Sequence, residues 1–433
     1  MSVAERTVEI APAPDRLPRL LTETAAKWVS LAEHRRRAGP IPRVGRRPRI
    51  DIIDAAGRAG LRGKGGGAFP TGQKMEAVAA GPGRPVVLVN GAEGEPASGK
   101  DKLLLTRAPH LVLDGAQIAA AAIGAREVIV CVDRHANGAL ASVRRALSER
   151  AAAEPASVPV RLVGVPSHYV SGEETALVRW LSGGDAKPTT PPKPYERGVG
   201  GRPTLVDNVE TLAHLAQIVR WGPTWFRSVG TRSEPGSTLL TVSGAVGRPG
   251  VYEVPMGASL ARVLQRAGAI DGEVSAVLVG GYFGTWLSAE QSATAHLSRA
   301  DLARFGGDLG PGVVVALPRD ACGVVEAARV VSWLAASTAG QCGSCMHGLA
   351  SLAESAGAVA RGRARRDAAM QLLRWAEQIE GRGACRLPDG AARFLRSSLA
   401  IFQHEFDRHL RGAHCPEQRH VLPLPNPARD TWR

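Results

Sequence analysis

The feature that most constrains this chain is a series of short apolar segments, each ending in a polar loop and followed by a helical stretch. Residues 85–90 (PVVLVN), 127–133 (EVIVCVD) and 158–165 read as buried strands, and residues 110–124 and 137–153 carry helical patterning. Apolar strands separated by helices pair in parallel, because helices packed on the sheet are what cover both faces. The loops at the carboxyl ends of such strands share one edge, where open α/β sheets hold ligands. Beyond the proline-laden loop 188–194, residues 206–221 read as a further helix.

The texture changes near residue 237. Residues 238–246, the turn at 247–250 and residues 251–254 predict a β-hairpin, followed by a helix over 259–267 and strands at 274–279 and 313–317. From Cys322 onward, apolar residues recur at helical spacing in 324–336, 349–359 and 369–379, which predicts a bundle. Four units follow: an N-terminal basic arm (1–49) with one helical stretch near 20–34, an α/β domain (50–234), a small β domain (235–318) and a helical domain (319–433).

A chain of 433 residues holds about three domains of ordinary size. The longest apolar stretch, 111–123, is interrupted by Asp114, Gly115 and Gln117 and falls short of the ~18–20 residues of a membrane span. Glu5 and Glu9, with no apolar run beside them, predict no signal peptide and a cytoplasmic location. The net charge of +14 comes mostly from arginine, clustered at Arg35, Arg36, Arg37, Arg43, Arg46, Arg47 and Arg49 and again at Arg361, Arg363, Arg365 and Arg366. These clusters read as solvated faces or as a dock for an acidic partner. With only 4% aromatic residues and no recognition motif, nucleic acid is set aside.

Residues 60–74 (GLRGKGGGAFPTGQK) concentrate glycines that read by pattern alone either as a plain flexible loop or as a cradle whose backbone N–H groups converge on a phosphate, with Lys64 and Lys74 adding charge. Carboxylates crowd the two strand-end loops, at Glu93 and Glu95 and at Glu173 and Glu174. Six cysteines are too few for a disulfide scaffold. Cys131 and Cys322 sit in apolar settings and read as core residues; Cys342 and Cys345 form a C-x2-C pair, and Cys385 and Cys415 follow.

Four segments together, GLRGKGGGAFPTGQK (60–74), NGAEGEP (90–96), YVSGEETAL (169–177) and PTLVDNVETL (203–212), resemble the FMN- and NADH-binding flavoprotein subunit of respiratory complex I and related dehydrogenases and hydrogenases. VSGAVGRPGVYEVP (242–255) resembles the β-grasp (SLBB-type) domain of that family, and Cys342, Cys345 and Cys385 fall in its helical iron–sulfur domain. The resemblance spans residues 50–410 and implies a Rossmann-like FMN domain, then a β-grasp domain, then a helical iron–sulfur bundle. It places the FMN phosphate near Asn208 and Thr211. Gly63, Lys64, Gly65, Gly66, Lys74, Asn90, Glu93, Tyr169, Gly172 and Glu173 surround the ring and ribityl chain, with Val206 and Asp207 in the same cofactor set. It assigns Glu95 and Glu174 to the NAD(H) site as catalytic carboxylates and Phe69 to the adenine.

Departures from the family pattern carry information. Its Ala-Gly order is inverted here to Gly67-Ala68, and Ala92 replaces an aspartate at the flavin. Ala77 and Lys193 replace two aromatics at the adenine, a loss of ~2–6 kcal/mol at ~1–3 kcal/mol per stacked face, so NADH binding is expected to be weak. Ala339 stands where the first cluster cysteine belongs. Three thiolates hold a three-iron cluster, or a four-iron cluster with a further ligand from His347, Cys322 or Cys415. A zinc site of the three cysteines with His347, and structural cysteines without metal, are the alternatives.

The resulting expectation is an electron-transfer subunit that oxidises NAD(P)H through FMN and passes single electrons to an iron–sulfur cluster and a ferredoxin-like or iron–sulfur partner, within a larger oxidoreductase complex. Two others stand beside it: the same cofactors serving a ferredoxin or flavoprotein instead of NADH, and a redox-silent scaffold built on the β-grasp domain.

Overall fold

The structure is a computed structural model that describes residues 17–21, 28–41, 48–153, 158–190, 192–413, 415, 419–425 and 430–433. The first half builds a parallel sheet from β1 (Val86–Gly91), β2 (Val128–Asp133), β3 (Val160–Val165) and β4 (Thr204–Asn208), in the order β3-β2-β1-β4. Its helices are α1 (Leu31–Ala38), α2 (Pro48–Ala59), α3 (Thr71–Ala80), α4 (Lys100–Arg107), α5 (Pro109–Ile123), α6 (Asn137–Ala153), α7 (Glu174–Leu181) and α8 (Val209–Phe226). Residues 204–208 are therefore a strand and not the start of a helix. These residues pair with β1, Val86 against Thr204 through Asn90 against Asn208. Such a short apolar run leading directly into helical periodicity has no pattern of its own; its partner strand decides it.

That pairing has a functional consequence. The chain proceeds from β1 outward to β2 and β3, then crosses back to place β4 on the other side of β1. Strand order reverses between β1 and β4, and a crevice opens at their carboxyl ends. Asn90 and Asn208 face each other there.

Helix α5 is buried along nearly its whole length against α8. The two approach so closely that a Cβ at Gly115 would lie 1.9 Å from the Leu212 carbonyl oxygen. Asp114, 3% exposed, sits on α5 and gathers His34 of α1, whose Nε2 lies 2.6 Å away, and the guanidinium groups of Arg150 and Arg220. Burial alone would raise the Asp114 carboxyl, but His34, Arg150 and Arg220 hold it well below the usual carboxylate range. Part of the expected arm is thus docked on the domain, and Arg36 and Arg37 pair with Glu33 of their own helix. The 20–34 helical stretch falls partly outside the described residues, as do Arg43, Arg46 and Arg47; the side chain of Arg49 does too.

The second sheet has the order β6-β5-β9-β7-β8, from β5 (Ser237–Gly244), β6 (Gly250–Pro255), β7 (Val274–Val279), β8 (Thr285–Ser288) and β9 (Val313–Pro318). Strands β5 and β6 form the expected hairpin, β5 and β9 pair in parallel, and α9 (Leu260–Arg266) packs on the sheet with α10 (Ala289–Thr294) and α11 (Arg299–Ala303) nearby. Strand β8 escaped the sequence reading: four residues are too few to show alternation, yet its Trp286 is 1% exposed. The remainder is helical: α12 (Gly323–Ala336), α13 (Ala350–Ala360), α14 (Ala368–Ile379), α15 (Leu387–Ile401) and α16 (Gln403–Leu410). No helix among the described residues is long and apolar enough to cross a membrane.

Asp114→Asn leaves the buried Arg220 guanidinium and the half-buried one of Arg150 without their carboxylate. It should cost about 3–5 kcal/mol in urea unfolding and release α1; stability equal to the parent would show that the cluster carries no net weight.

Candidate active site

The glycine segment is a closed loop pinned over the start of α8. A bridge pairs Arg62 with Pro70, the Gly63 N–H donates to the Phe69 carbonyl at 2.9 Å, and the Lys64 N–H donates to Thr211 Oγ1 at 2.9 Å. Gly65 lies against Asn208, where an added Cβ would stand 3.3 Å from its Cβ, and Gly66 has φ +108°. Nothing lies within 4 Å of the position a Gly67 Cβ would take, so the loop leaves open space beside it. The Gly67-Ala68 inversion has a backbone cost: Ala68 has φ 45°, the left-handed region, and no other non-glycine among the described residues does so.

Around the crevice most of the expected residues converge. Asn208 caps α8, its Oδ1 accepting from the Glu210 N–H at 3.0 Å and from Lys100 Nζ at 3.3 Å, while its Nδ2 donates to Asp101 Oδ2 at 2.7 Å. Asn90 Nδ2 donates to the Gly172 carbonyl at 2.8 Å, tying the two strand-end loops together. A Cβ at Gly172 would lie 2.4 Å from the Ala92 oxygen, so that contact requires glycine. Lys74 Nζ donates to the Val206 carbonyl at 2.5 Å and lies 3.5 Å from Glu174 and 4.0 Å from Asp207. The buried Asp207 Oδ2 has no hydrogen-bond partner among the described residues. Burial pushes its carboxyl up to about 6, against the pull of Lys74. Desolvation lowers the Lys64 ammonium.

The four carboxylates of the two loops separate into different roles. Glu93 caps α4, accepting from the N–H groups of Asp101 at 3.1 Å and Lys102 at 3.2 Å and from the Ser98 hydroxyl. Glu173 caps α7, accepting from Thr175 N–H at 2.9 Å and Ala176 N–H at 3.2 Å. Glu174 is partly exposed beside Lys74. Glu95 is buried, accepting from the Tyr169 hydroxyl at 3.1 Å and the Tyr282 N–H at 3.0 Å, and burial pushes its carboxyl up to about 7. Tyr169 in turn meets Phe283 and Trp333 edge-on.

Sequence reasoning passed over Lys100. This lysine is 1% exposed, with Asp101 Oδ1 at 2.6 Å and Glu210 Oε2 at 2.9 Å. Burial alone would lower its ammonium, but the two carboxylates hold it charged. The signal that could have found it is the KD pair at the start of a helix after a glycine-rich loop. Phe69 is 55% exposed, and Ala77 and Lys193 are both exposed; Tyr195, two residues beyond Lys193, is a second exposed aromatic that the sequence reading also missed.

Cys342 and Cys345 stand at the head of a π-helical turn, Ser344–Leu349, a local geometry common at functional sites. Cys385 lies in the connection between α14 and α15. Burial pushes the Cys342 thiol up, but N–H groups of Ala384, Cys345 and Ser344 aimed at it pull it below its ordinary value. Burial raises the Cys345 and Cys385 thiols, and the charge of Cys342 raises both further. The Cys342 loop docks on the first domain, Gln341 Nε2 donating to the Pro188 carbonyl at 2.8 Å and Arg179 to Gln341 Oε1 at 3.1 Å. Ala339 packs against the apolar core of the bundle, and His347 is exposed. Cys322 is buried in the apolar core of the bundle, as expected, and its thiol also meets His409 Nε2.

Because the Glu95 pKa is raised on folding, the folded chain binds the extra proton between about 4.5 and 7. Wild-type stability should therefore fall as pH rises through that window, and Glu95→Gln should flatten the decline. Denaturant midpoints measured from pH 4.5 to 8 check this; parallel curves for both proteins would refute the assignment.

Residues 56–217 match the Nuo51 FMN-binding domain, 239–275 the SLBB domain, and 326–409 the iron–sulfur binding region of NADH-ubiquinone oxidoreductase F. The chain is 33% identical over 382 residues to the second NADH-quinone oxidoreductase F subunit of Rhizobium meliloti, covering 84% of this chain and 90% of that one. It is 31% identical to the corresponding protein of Streptomyces coelicolor, covering 84% of each. Among solved structures, it resembles a chain of an NAD+-reducing [NiFe]-hydrogenase in the H2-reduced state with TM-score 0.77 and 32% identity. That match covers 85% of this chain and 64% of the hydrogenase chain, so this chain spans somewhat under two thirds of that neighbour. With sheet, crevice and thiol pair in the matching regions, the chain belongs to the family of NADH-quinone oxidoreductase F subunits.

Proposed function

We propose that this chain oxidises NADH at the β1–β4 crevice through FMN and delivers electrons to an iron–sulfur cluster held by Cys342, Cys345 and Cys385. The observation that carries the reading is the crevice itself: an open glycine cradle, two lysines and a buried carboxylate oxygen without a partner among the described residues, all at the point where strand order reverses. These features suit a phosphate joined to a polar ring. When bound, FMN supplies the conversion between a two-electron hydride and single electrons, and the cluster carries those electrons onward.

The chain's own residues prepare and confine that chemistry. The Gly63, Gly65 and Gly66 backbone allows close approach, with Lys64 and Lys74 supplying positive charge. Asn208 and Thr211 fix the start of α8, where N–H groups favour an anion. Asn208 acts as a positioning residue, since its side-chain amide is already bonded to Asp101, Lys100 and the helix backbone. Glu93 and Glu173 likewise act by capping helices, which sets Asn90, Tyr169 and Gly172 around the ring. Val206 contributes its carbonyl by fixing Lys74. Glu95 holds a proton near neutral pH, and Glu174 faces Lys74 at the entrance. Phe69 and Tyr195 are the aromatics available to the adenine. The thiol loop docked beside α7 brings the cluster site to the same edge of the sheet. The electrons then pass to an iron–sulfur or ferredoxin-like partner in a larger complex, and we place the chain in the cytoplasm, peripheral to any membrane component.

Purified anaerobically, the chain should be yellow-brown with FMN near one per chain, and Lys74→Ala should release most of it. In stopped-flow mixing NADH should bleach the flavin with weak saturation. Bleaching by dithionite alone would favour the second reading, a ferredoxin or flavoprotein donor, which Ala77 and Lys193 support. Ala339→Cys should raise the retained iron toward four per chain and change the paramagnetic resonance spectrum; iron near zero after anaerobic reconstitution would sink the cluster assignment.

A further inference from the structure

Two of the three cysteines outside the proposed cluster set meet a histidine in the helical domain. Cys322 caps α12, His409 lies in the last turn of α16, and Cys415 follows that helix. His409 Nε2 is 3.4 Å from Cys322 Sγ and 3.3 Å from Cys415 Sγ, and the three atoms all lie within 4.8 Å of one another. His409 is 1% exposed and Cys322 3%.

The histidine's other nitrogen fixes its tautomer. Nδ1 lies 3.1 Å from the Ala360 carbonyl oxygen and 3.2 Å from that of Val359. Carbonyl oxygens only accept, so Nδ1 carries the proton and Nε2 presents its lone pair to the two sulfurs. A backbone carbonyl holding the far ring nitrogen is the arrangement that orients metal-bound histidines. Glu405, one helical turn before His409, lies against the Cys322 thiol and accepts the Gly323 N–H at 2.7 Å.

We propose that Cys322, His409 and Cys415 form a zinc site, with Glu405 or a water in the fourth position. Two thiolates and an imidazole are the donor set that suits zinc in a tetrahedral structural site. Loading displaces one proton from each thiol, leaves every oxidation state unchanged, and gives a neutral centre before the fourth ligand is counted.

The location gives the metal a mechanical role. The described residues beyond Cys415, 419–425 and 430–433, lie against the helical domain and the sheet domain as a strap. Glu326 accepts the N–H groups of Val421 at 3.0 Å and Leu422 at 3.1 Å, and Trp333 Nε1 donates to the Pro425 carbonyl at 2.7 Å. At its end the Trp432 ring stacks on His168 with centroids 3.7 Å apart, next to Tyr169. Zinc would anchor the root of this strap, and the inference rests on these residues and not on flavin or cluster loading.

Metal analysis of the full chain tests it. After equilibration with zinc chloride and desalting, one tightly held zinc per chain is expected. X-ray absorption at the zinc edge should show sulfur at ~2.3 Å and nitrogen or oxygen at ~2.0–2.2 Å. Cys415→Ser should lose the zinc, and hydrogen exchange at Val421 and Leu422 should then accelerate. The triple variant Cys342→Ser, Cys345→Ser, Cys385→Ser should keep the zinc while losing iron, which separates this site from the cluster. Should Cys415→Ser fold poorly, zinc released from the parent by a mercurial thiol reagent gives the same readout. Substoichiometric zinc in the parent, zinc retained by well-folded Cys415→Ser, zinc lost with the triple variant, or a Cys322–Cys415 disulfide in anaerobically purified protein would each overturn the proposal.

Discussion

The buried Lys100 ammonium is the interaction on which the rest of the arrangement depends. An ammonium out of water is costly unless its partners are close and fully bonded, and here Asp101 and Glu210 both meet it. Glu210 does more than neutralise charge. Its other oxygen accepts the Leu239 N–H at 2.9 Å and the Thr238 hydroxyl at 3.1 Å, both on β5 of the second sheet. One ion cluster thus joins the first turn of α4, the end of β4, the start of α8 and the neighbouring domain. Those elements present Asn208 and Thr211 to the crevice, so the geometry of the site and the packing of the two sheets share a single support.

A similar logic governs the carboxylates. A carboxylate that caps a helix is held by backbone N–H groups and keeps a fixed direction. Glu93 and Glu173 are used in that way, and the loops they stiffen carry Asn90, Tyr169 and Gly172. Glu95 is different, because its partners come from Tyr169 and from the backbone of Tyr282 in the second domain. Burial at this junction raises its proton affinity, against the pull of those donors. A group poised near neutral pH at a closed junction is suited to keep a proton while charge changes nearby.

The helical domain contributes its thiols through loops and not through helix faces. Cys342 and Cys345 open a π-helical turn whose neighbouring N–H groups point at sulfur, and Cys385 arrives from the next connection. Gln341 keys this loop onto the sheet domain, which holds the thiols at a fixed place relative to α7. Val421 bonds to Glu326 of the bundle, and Trp432 stacks on His168 of the sheet domain.

Much of this was legible in the chain alone. The strands β1 to β3, the helices between them, the hairpin and the helical tail all carry local periodicity, which depends only on residues close in sequence. The glycine segment and its lysines stand out for the same reason. Tertiary structure decided the remainder, because it depends on contacts between distant residues. Residues 204–208 are a strand only because β1 accepts them, and Asn90 meets Asn208 across 118 positions. Cys322 looked like an ordinary core thiol until the fold brought it to His409, 87 residues away. Lys100 carries no local signature of burial; only the fold takes it out of water and sets two carboxylates against it. Sequence patterning shows which faces are apolar; which charged or nucleophilic groups meet between those faces is set by chain crossings that no local pattern encodes.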